Sequence, residues 1–222
     1  MKNYYNTLSK DILTIATLEQ DSTSLRRELF YIRQAKLEKS LNTDDLKKAF
    51  WINIYKAFYF IISKETKGQN TILKLKRIKI ARTILSLNDI EHGILRKSKY
   101  KMGFGYITNP FYSNFIKVLS VNELDYRIHF AIRSISLKNY SFDFYDYEKL
   151  EKQLTLITKD FIEYETEFDT KLKLIRTSKF LFTYLHDFGG IHSIRNLLQK
   201  NLKKDLKGYQ VKFRNNENYQ CM

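Results

Sequence analysis

One segment constrains this chain more than any other: LNTDDLKKAFWINIYKAFYFIISKE, residues 41–65. Leu46, Phe50, Ile54, Phe58 and Ile61 or Ile62 recur at the spacing of one helix face. Thr43 stands where an N-cap would, and Asp44 and Asp45 fall in the first turn, where the helix dipole favours negative charge. Trp51, Asn53 and Tyr55 flank the stripe. A helix this aromatic has to be buried, and 222 residues are enough for one well-filled core. Its most apolar stretch, Ala57 to Ser63, is far shorter than the roughly 18 apolar residues a membrane span needs.

Around that helix the pattern predicts a single α+β domain over residues 1–206, largely helical with a small antiparallel sheet. Residues 7–20 and 22–40 read as two helices. ILKLKRIKI (72–80) alternates as a strand or a tight strand pair, its lysines protecting an edge. Ser86 and Asp89 have the spacing of a capping box, so a short helix starts there. Leu87, Ile90 and Ile94 share one of its faces. Glu91 and His92 sit about 100° apart on an ideal helix and point the same way only if it distorts near Gly93. A loop is expected at 99–111. RIHFAI (127–132) alternates as a strand with His129 on its polar face. Leu150, Leu154, Ile157 and Phe161 mark another helix, and KLKLI (171–175) a short strand. Residues 178–190 read as a helix capped by Ser178 and stopped by Gly189 and Gly190, with an amphipathic helix after it over 193–206. The polar tail, 207–222, is expected to be disordered.

Composition removes several classes of function. A hydrophobic share of 43% with 15% aromatic residues belongs to a globular chain. Cys221 is alone, which excludes an intramolecular disulfide and a cysteine-based metal site. The four histidines lack metal-ligand spacing, and the Gly-Phe-Gly at 103–105 lacks the spacing of a dinucleotide fingerprint, so no metal or cofactor is expected. Without a signal-peptide pattern or an apolar span, the expected location is the cytoplasm. The net charge of +15 keeps nucleic-acid association open as a third reading, although the basic residues are spread along the chain rather than gathered into an arm.

Four stretches, FWINIYKAF, LSLNDIEHGILR with the adjoining KSKYKMGFGY, LDYRIHFAI and FLFTYLHDFGG, occur in the order and spacing of the domain-of-unknown-function family 547. The chain resembles that family from about residue 7 to residue 200, most specifically at IEHGILR and RIHFA. The resemblance implies a papain-like fold and a cysteine nucleophile activated by histidine. The family pattern H-F-A-L-N-C-G-A-x-S-C-P-P, laid on this sequence from His129, puts its second cysteine at Asn139 and its first at Ser134. A tyrosine–asparagine pair of the family meets Tyr55–Lys56. Glu91, His92, Arg127, His129, Asp187 and Phe188 match.

The implied chemistry therefore lacks its nucleophile. A carboxamide neither ionises near neutral pH nor forms an acyl intermediate, whereas a cysteine does both through its thiolate. The expectation is a catalytically inactive homologue of a cysteine hydrolase, with Glu91, His92, His129 and Asn139 as vestigial residues and either histidine as the ancestral base. Its cleft would bind a protein or peptide, an acidic one being favoured by a basic rim of Arg96, Lys97, Lys99 and Lys101. The runner-up is a residual hydrolase using Ser134, with His92 or His129 as base and Glu91 or Asp89 orienting it. His186 and His192 are read as surface residues.

Overall fold

The computed structural model describes residues 3–66, 71–100, 103–136 and 142–214. Four helices open the chain: α1 (Tyr4–Thr17), α2 (Thr23–Tyr31), α3 (Gln34–Ser40) and α4 (Asp44–Glu65). The expected cap of α4 is present, Thr43 Oγ1 accepting from the Leu46 N–H. Burial goes beyond one stripe, because every residue from Lys47 to Phe58 is buried. α4 is a central helix, packed against α1 and against the helical segments at 89–95 and 128–133. Its buried lysines and its asparagine find partners. The Asn53 amide donates to Tyr145 O at 2.8 Å and accepts from Tyr145 N at 2.7 Å, and Lys56 Nζ donates to Phe142 O at 3.0 Å.

The single helix expected over 22–40 is broken at Ile32 into α2 and α3. In a continuous helix the Leu29 and Phe30 carbonyls would accept from residues 33 and 34. They accept instead from Ala81 N and Arg82 N, at 3.1 and 2.9 Å. Those donors lie at the tip of an antiparallel hairpin, β1 (Ile78–Ile80) and β2 (Thr83–Leu85). Residues 72–74 form a 3-10 turn rather than part of the strand.

The capping box is formed: Asp89 Oδ2 accepts from Ser86 N and Oγ, and Ser86 Oγ accepts from Asp89 N. The helix it starts is a π-helix, Asp89–Leu95. Next come α5 (Asn114–Leu119) and α6 (Ile128–Arg133), the latter where a strand was expected. Every residue from Ile128 to Ser134 is buried, so alternation of apolar and polar residues says nothing about two faces there. A short apolar run fits either period.

α7 (Leu150–Glu165) buries the predicted Leu150, Leu154, Ile157 and Phe161. It leads into a mixed sheet of β3 (Glu167–Asp169), β4 (Leu174–Ser178) and, after α8 (Phe180–Thr183) and α9 (Gly190–Leu202), β5 (Gln210–Arg214). β3 and β4 pair antiparallel, β4 and β5 parallel. The expected helix over 178–190 is corrected: Ser178 ends β4, and only residues 180–183 are α-helical. Gly189 and Gly190, at φ 76° and 92°, lead into α9 instead of stopping a helix. The expected boundary at residue 206 also moves. Residues 210–214 of the polar tail pair with β4 through its free edge, while Phe213 packs against Phe182 and Arg214 pairs with Glu167. The architecture is one α+β domain, largely helical. No helix among the described residues is long and apolar enough to cross a membrane.

Candidate functional site: a buried charge network

The π-helix, α6 and the turn after α8 converge on a group of charged side chains almost wholly removed from water. Glu91, His92 and Arg96 come from the first, His129 and Arg133 from the second, Asp187 from the third. A π-helix closes its turns with i to i+5 bonds, as in Arg96 N to Glu91 O at 2.9 Å and Ser98 N to Gly93 O at 2.8 Å. This is the distortion at Gly93 that brings Glu91 and His92 into one environment. Gly93 is also where another element comes close: a Cβ there would lie 2.7 Å from Ile116 Cγ2 of α5.

His129 is fully buried and held on every side. Its Nε2 lies 2.8 Å from Asp187 Oδ2, its Nδ1 3.3 Å from Arg133 Nη1, and its ring stacks on Tyr184 at 4.3 Å with 21° between the planes. A carboxylate can only accept and a guanidinium can only donate. The network therefore assigns a neutral imidazole whose Nε2–H donates to Asp187 and whose Nδ1 lone pair accepts from Arg133. Burial lowers its pKa to about 4, and the Arg133 and Arg96 charges act in the same sense against the pull of Asp187.

The two carboxylates are ionised. Burial alone would raise both, but neighbouring cations outweigh it. The Arg133 charge foremost, together with that of Arg96, holds Glu91 well below the usual carboxylate range, and hydrogen bonds from His129 and Arg96 lower Asp187. Arg133 Nη2 donates to Glu91 Oε1 at 3.2 Å, Arg96 Nε to Asp187 Oδ2 at 2.5 Å, and Arg96 Nη1 to His92 Nδ1 at 3.0 Å. Both guanidiniums lie over the Tyr184 ring, at 4.4 and 4.9 Å. Two carboxylates thus face two guanidiniums, and the buried charge cancels. The backbone closes the cluster at Gly105, φ 86°, where a Cβ would meet Asp187 Oδ1 at 2.5 Å and Arg96 Nη2 at 3.0 Å.

Of the expected site residues that are described, the structure brings together Glu91, His92, Arg96, His129 and Asp187. Arg96 is corrected from a basic rim to the interior: it is fully buried, with 0% of its side chain exposed, because Asp187 neutralises it there. Lys97 is exposed and donates to Asn122 O at 2.6 Å, and Lys99 is half-buried. Ser134 is fully buried and its hydroxyl donates to Ala131 O at 2.8 Å. Asp89 is committed to the capping box rather than to a histidine. Arg127 clamps Asp125 to Glu151 on α7, away from the cluster. His186 and His192 are exposed. Asn139, Lys101 and Cys221 lie outside the described residues.

Arg133 and Tyr184, which dominate the surroundings of His129, do not stand out in the sequence. The available signal is the i to i+4 spacing of His129 and Arg133 and of His92 and Arg96, which places each pair on one face of a helical turn. Among the described residues no group of three His, Cys, Asp or Glu side chains could hold a metal ion.

A family model described as "Protein of unknown function, DUF547" matches residues 39–162, a span that includes α4, the π-helix and α6. No curated protein and no solved structure matches the chain significantly.

Proposed function

We propose, from the premise that the chain belongs to this family of proteins of unknown function, that it is a catalytically silent member of papain-like ancestry. Its polar frame serves to hold the fold together, and binding of a protein or peptide replaces turnover. One observation carries the reading: both ring nitrogens of His129 are engaged, Nε2 by Asp187 and Nδ1 by Arg133. A general base needs a lone pair within reach of the proton it removes. Here the lone pair is blocked by a guanidinium that Glu91 holds in place.

The resemblance supports the same reading. Laid from His129, the family pattern puts an asparagine at Arg133 and its second cysteine at Asn139, so a cation has replaced a neutral amide beside the imidazole and a carboxamide has replaced the thiol. Loss of a nucleophile from a catalytic triad lowers turnover by about 10⁶-fold, and a serine donating to its own helix does not compensate. Lys97 and Lys99, at the outer end of the cluster, supply the positive rim for an acidic peptide.

Hydrolysis of activated esters and of a mixed peptide library tests the first half. Turnover is expected to equal the uncatalysed rate. Turnover that disappears in Ser134→Ala or His129→Gln would restore the hydrolase reading. Fluorescence anisotropy against a panel of acidic peptides tests the second half. At least one binder is expected to weaken about tenfold in the Lys97→Glu/Lys99→Glu double variant, and a panel with no binder removes the peptide role.

A further inference from the structure

The hairpin that interrupts α2 also builds a groove on a part of the molecule the charge network does not use. A depression of about 420 Å³ lies between α2, α4 and β1, within the roughly 300–1,000 Å³ of small-ligand sites. Arg26 and Arg27 of α2 and Arg77 and Lys79 of the β1 segment line it, with Phe30 and Tyr31 as an aromatic edge. The two rings meet edge to face at 5.1 Å, and Tyr31 is 57% exposed. Glu65 pairs with Arg26 at 3.2 Å and with Arg77 at 3.1 Å, so one carboxylate holds guanidiniums from two elements side by side. Among the described residues Arg27 and Lys79 form no ion pair. Four cations thus line the groove, two of them paired with one carboxylate, next to an open tyrosine face.

The backbone is strained to make this arrangement. A two-residue hairpin turn with positive φ at both positions is the habit of Asn-Gly, yet Ala81 and Arg82 hold it here, at φ 47° and 60°. Such residues persist only where the surroundings over-determine them. The over-determination is the docking of both N–H groups on the α2 carbonyls of Leu29 and Phe30. Its consequence is a fixed register between hairpin and helix, with Ile78 and Ile80 in the core and Lys79 outward beside Arg27.

We propose that this groove binds single-stranded nucleic acid, its guanidiniums and Lys79 engaging phosphates and Tyr31 stacking on a base. Arginine presents a planar donor fork that matches phosphate geometry. An exposed ring gives unpaired bases a sequence-tolerant platform, which a duplex, its bases already stacked, cannot use. The net charge of +15 concentrates a polyanion near the surface, and the groove is where that attraction meets a ring able to read a base.

The test is fluorescence anisotropy of the full chain with a labelled ten-nucleotide oligothymidine, its duplex counterpart and phosphatidylserine vesicles. The single strand is expected to bind at 50 mM NaCl with Kd of about 10⁻⁵ M or below and to weaken steeply by 200 mM. Arg27→Glu/Lys79→Glu weakens it at least tenfold and Tyr31→Ala about fivefold. Lys200→Glu/Lys204→Glu, an equal change of net charge on and just after α9, weakens it less than threefold. All five positions are exposed, and unchanged circular dichroism confirms folding of each variant. Absence of binding at 50 mM overturns the proposal. So do equal losses in the two double variants, which indicate attraction by net charge alone, and duplex or vesicle binding as tight as the single strand's with no effect of Tyr31→Ala.

Discussion

At the scale of a single residue, His129 links the fold to pH. An unfolded histidine titrates near 6.5, whereas in the native state burial lowers His129 to about 4. Between those values the unfolded chain binds a proton that the native chain refuses, so stability falls as pH drops through the window and is intact above it. Each pKa unit is worth about 1.4 kcal/mol, which gives a loss of about 2 kcal/mol between pH 6.5 and pH 5. Glu91 and Asp187, lowered from 4.5 and 3.8, lose their contribution only at more acid pH and do not enter this interval. Urea unfolding at the two pH values is expected to show the drop in the native sequence and a much smaller one in His129→Gln, whose amide can still reach Asp187. A native chain equally stable at both would mean that the buried ring protonates as readily as a free one. Four members of the network, Glu91, His92, His129 and Asp187, stand out in the sequence because they fall in specific motifs. Arg96 and Arg133 are harder to place. A charged side chain belongs on the surface by default, and only a partner 91 or 42 residues away in the chain overrides that.

At the scale of elements, the same distinction between local and distant causes decides what can be read in advance. Thr43 and the Ser86–Asp89 box are short-range hydrogen-bond patterns, and both form as spelled. The break between α2 and α3 is invisible in the sequence, since its cause is the pair of N–H groups at residues 81 and 82. α6 reads as a strand because its polar residues alternate with apolar ones, yet pairing buries both kinds, and alternation then no longer reports a solvent face. The π-helix is half legible: Glu91 and His92 require a distortion at Gly93, but not its form. That form makes Gly93 testable. Alanine would gain roughly 1 kcal/mol of helix propensity, while its Cβ would press on Ile116 Cγ2 at 2.7 Å and the Tyr112 ring at 3.2 Å. Ile116 is β-branched and buried in α5, so it yields poorly, and overpacking of this kind costs about 1–3 kcal/mol. A net loss of about 1 kcal/mol is expected for Gly93→Ala in urea unfolding. A midpoint that rises would show that α5 can withdraw and that the close approach is incidental.

At the scale of the whole molecule, two kinds of electrostatics act with opposite sign and different reach. The buried network is neutral in sum and shielded from ions, so salt changes it little. The surface carries both ion pairs and an excess of fifteen positive charges. Pairs such as Lys64–Glu19, both more than half exposed, contribute about 0–1 kcal/mol each and weaken as they are screened. The excess charge repels itself across the whole surface, and folding brings it closer together. At 10 mM salt the screening length of about 30 Å spans the domain, and at 150 mM it is about 8 Å. Screening therefore removes a repulsion summed over many charges while costing a few weak pairs, and the repulsion is the larger. Raising NaCl from 10 to 150 mM is expected to raise Tm by about 2–4 °C, the response of a chain this size to about 1 kcal/mol. Differential scanning calorimetry at fixed pH reads it directly. A Tm that falls instead would mean that the surface pairs outweigh the excess charge, and that the basic balance is absorbed locally rather than displayed to a polyanionic partner. A rise in Tm over the same salt range in which oligonucleotide affinity falls would separate the two effects, since only self-repulsion is relieved by salt and only the partner's attraction is lost.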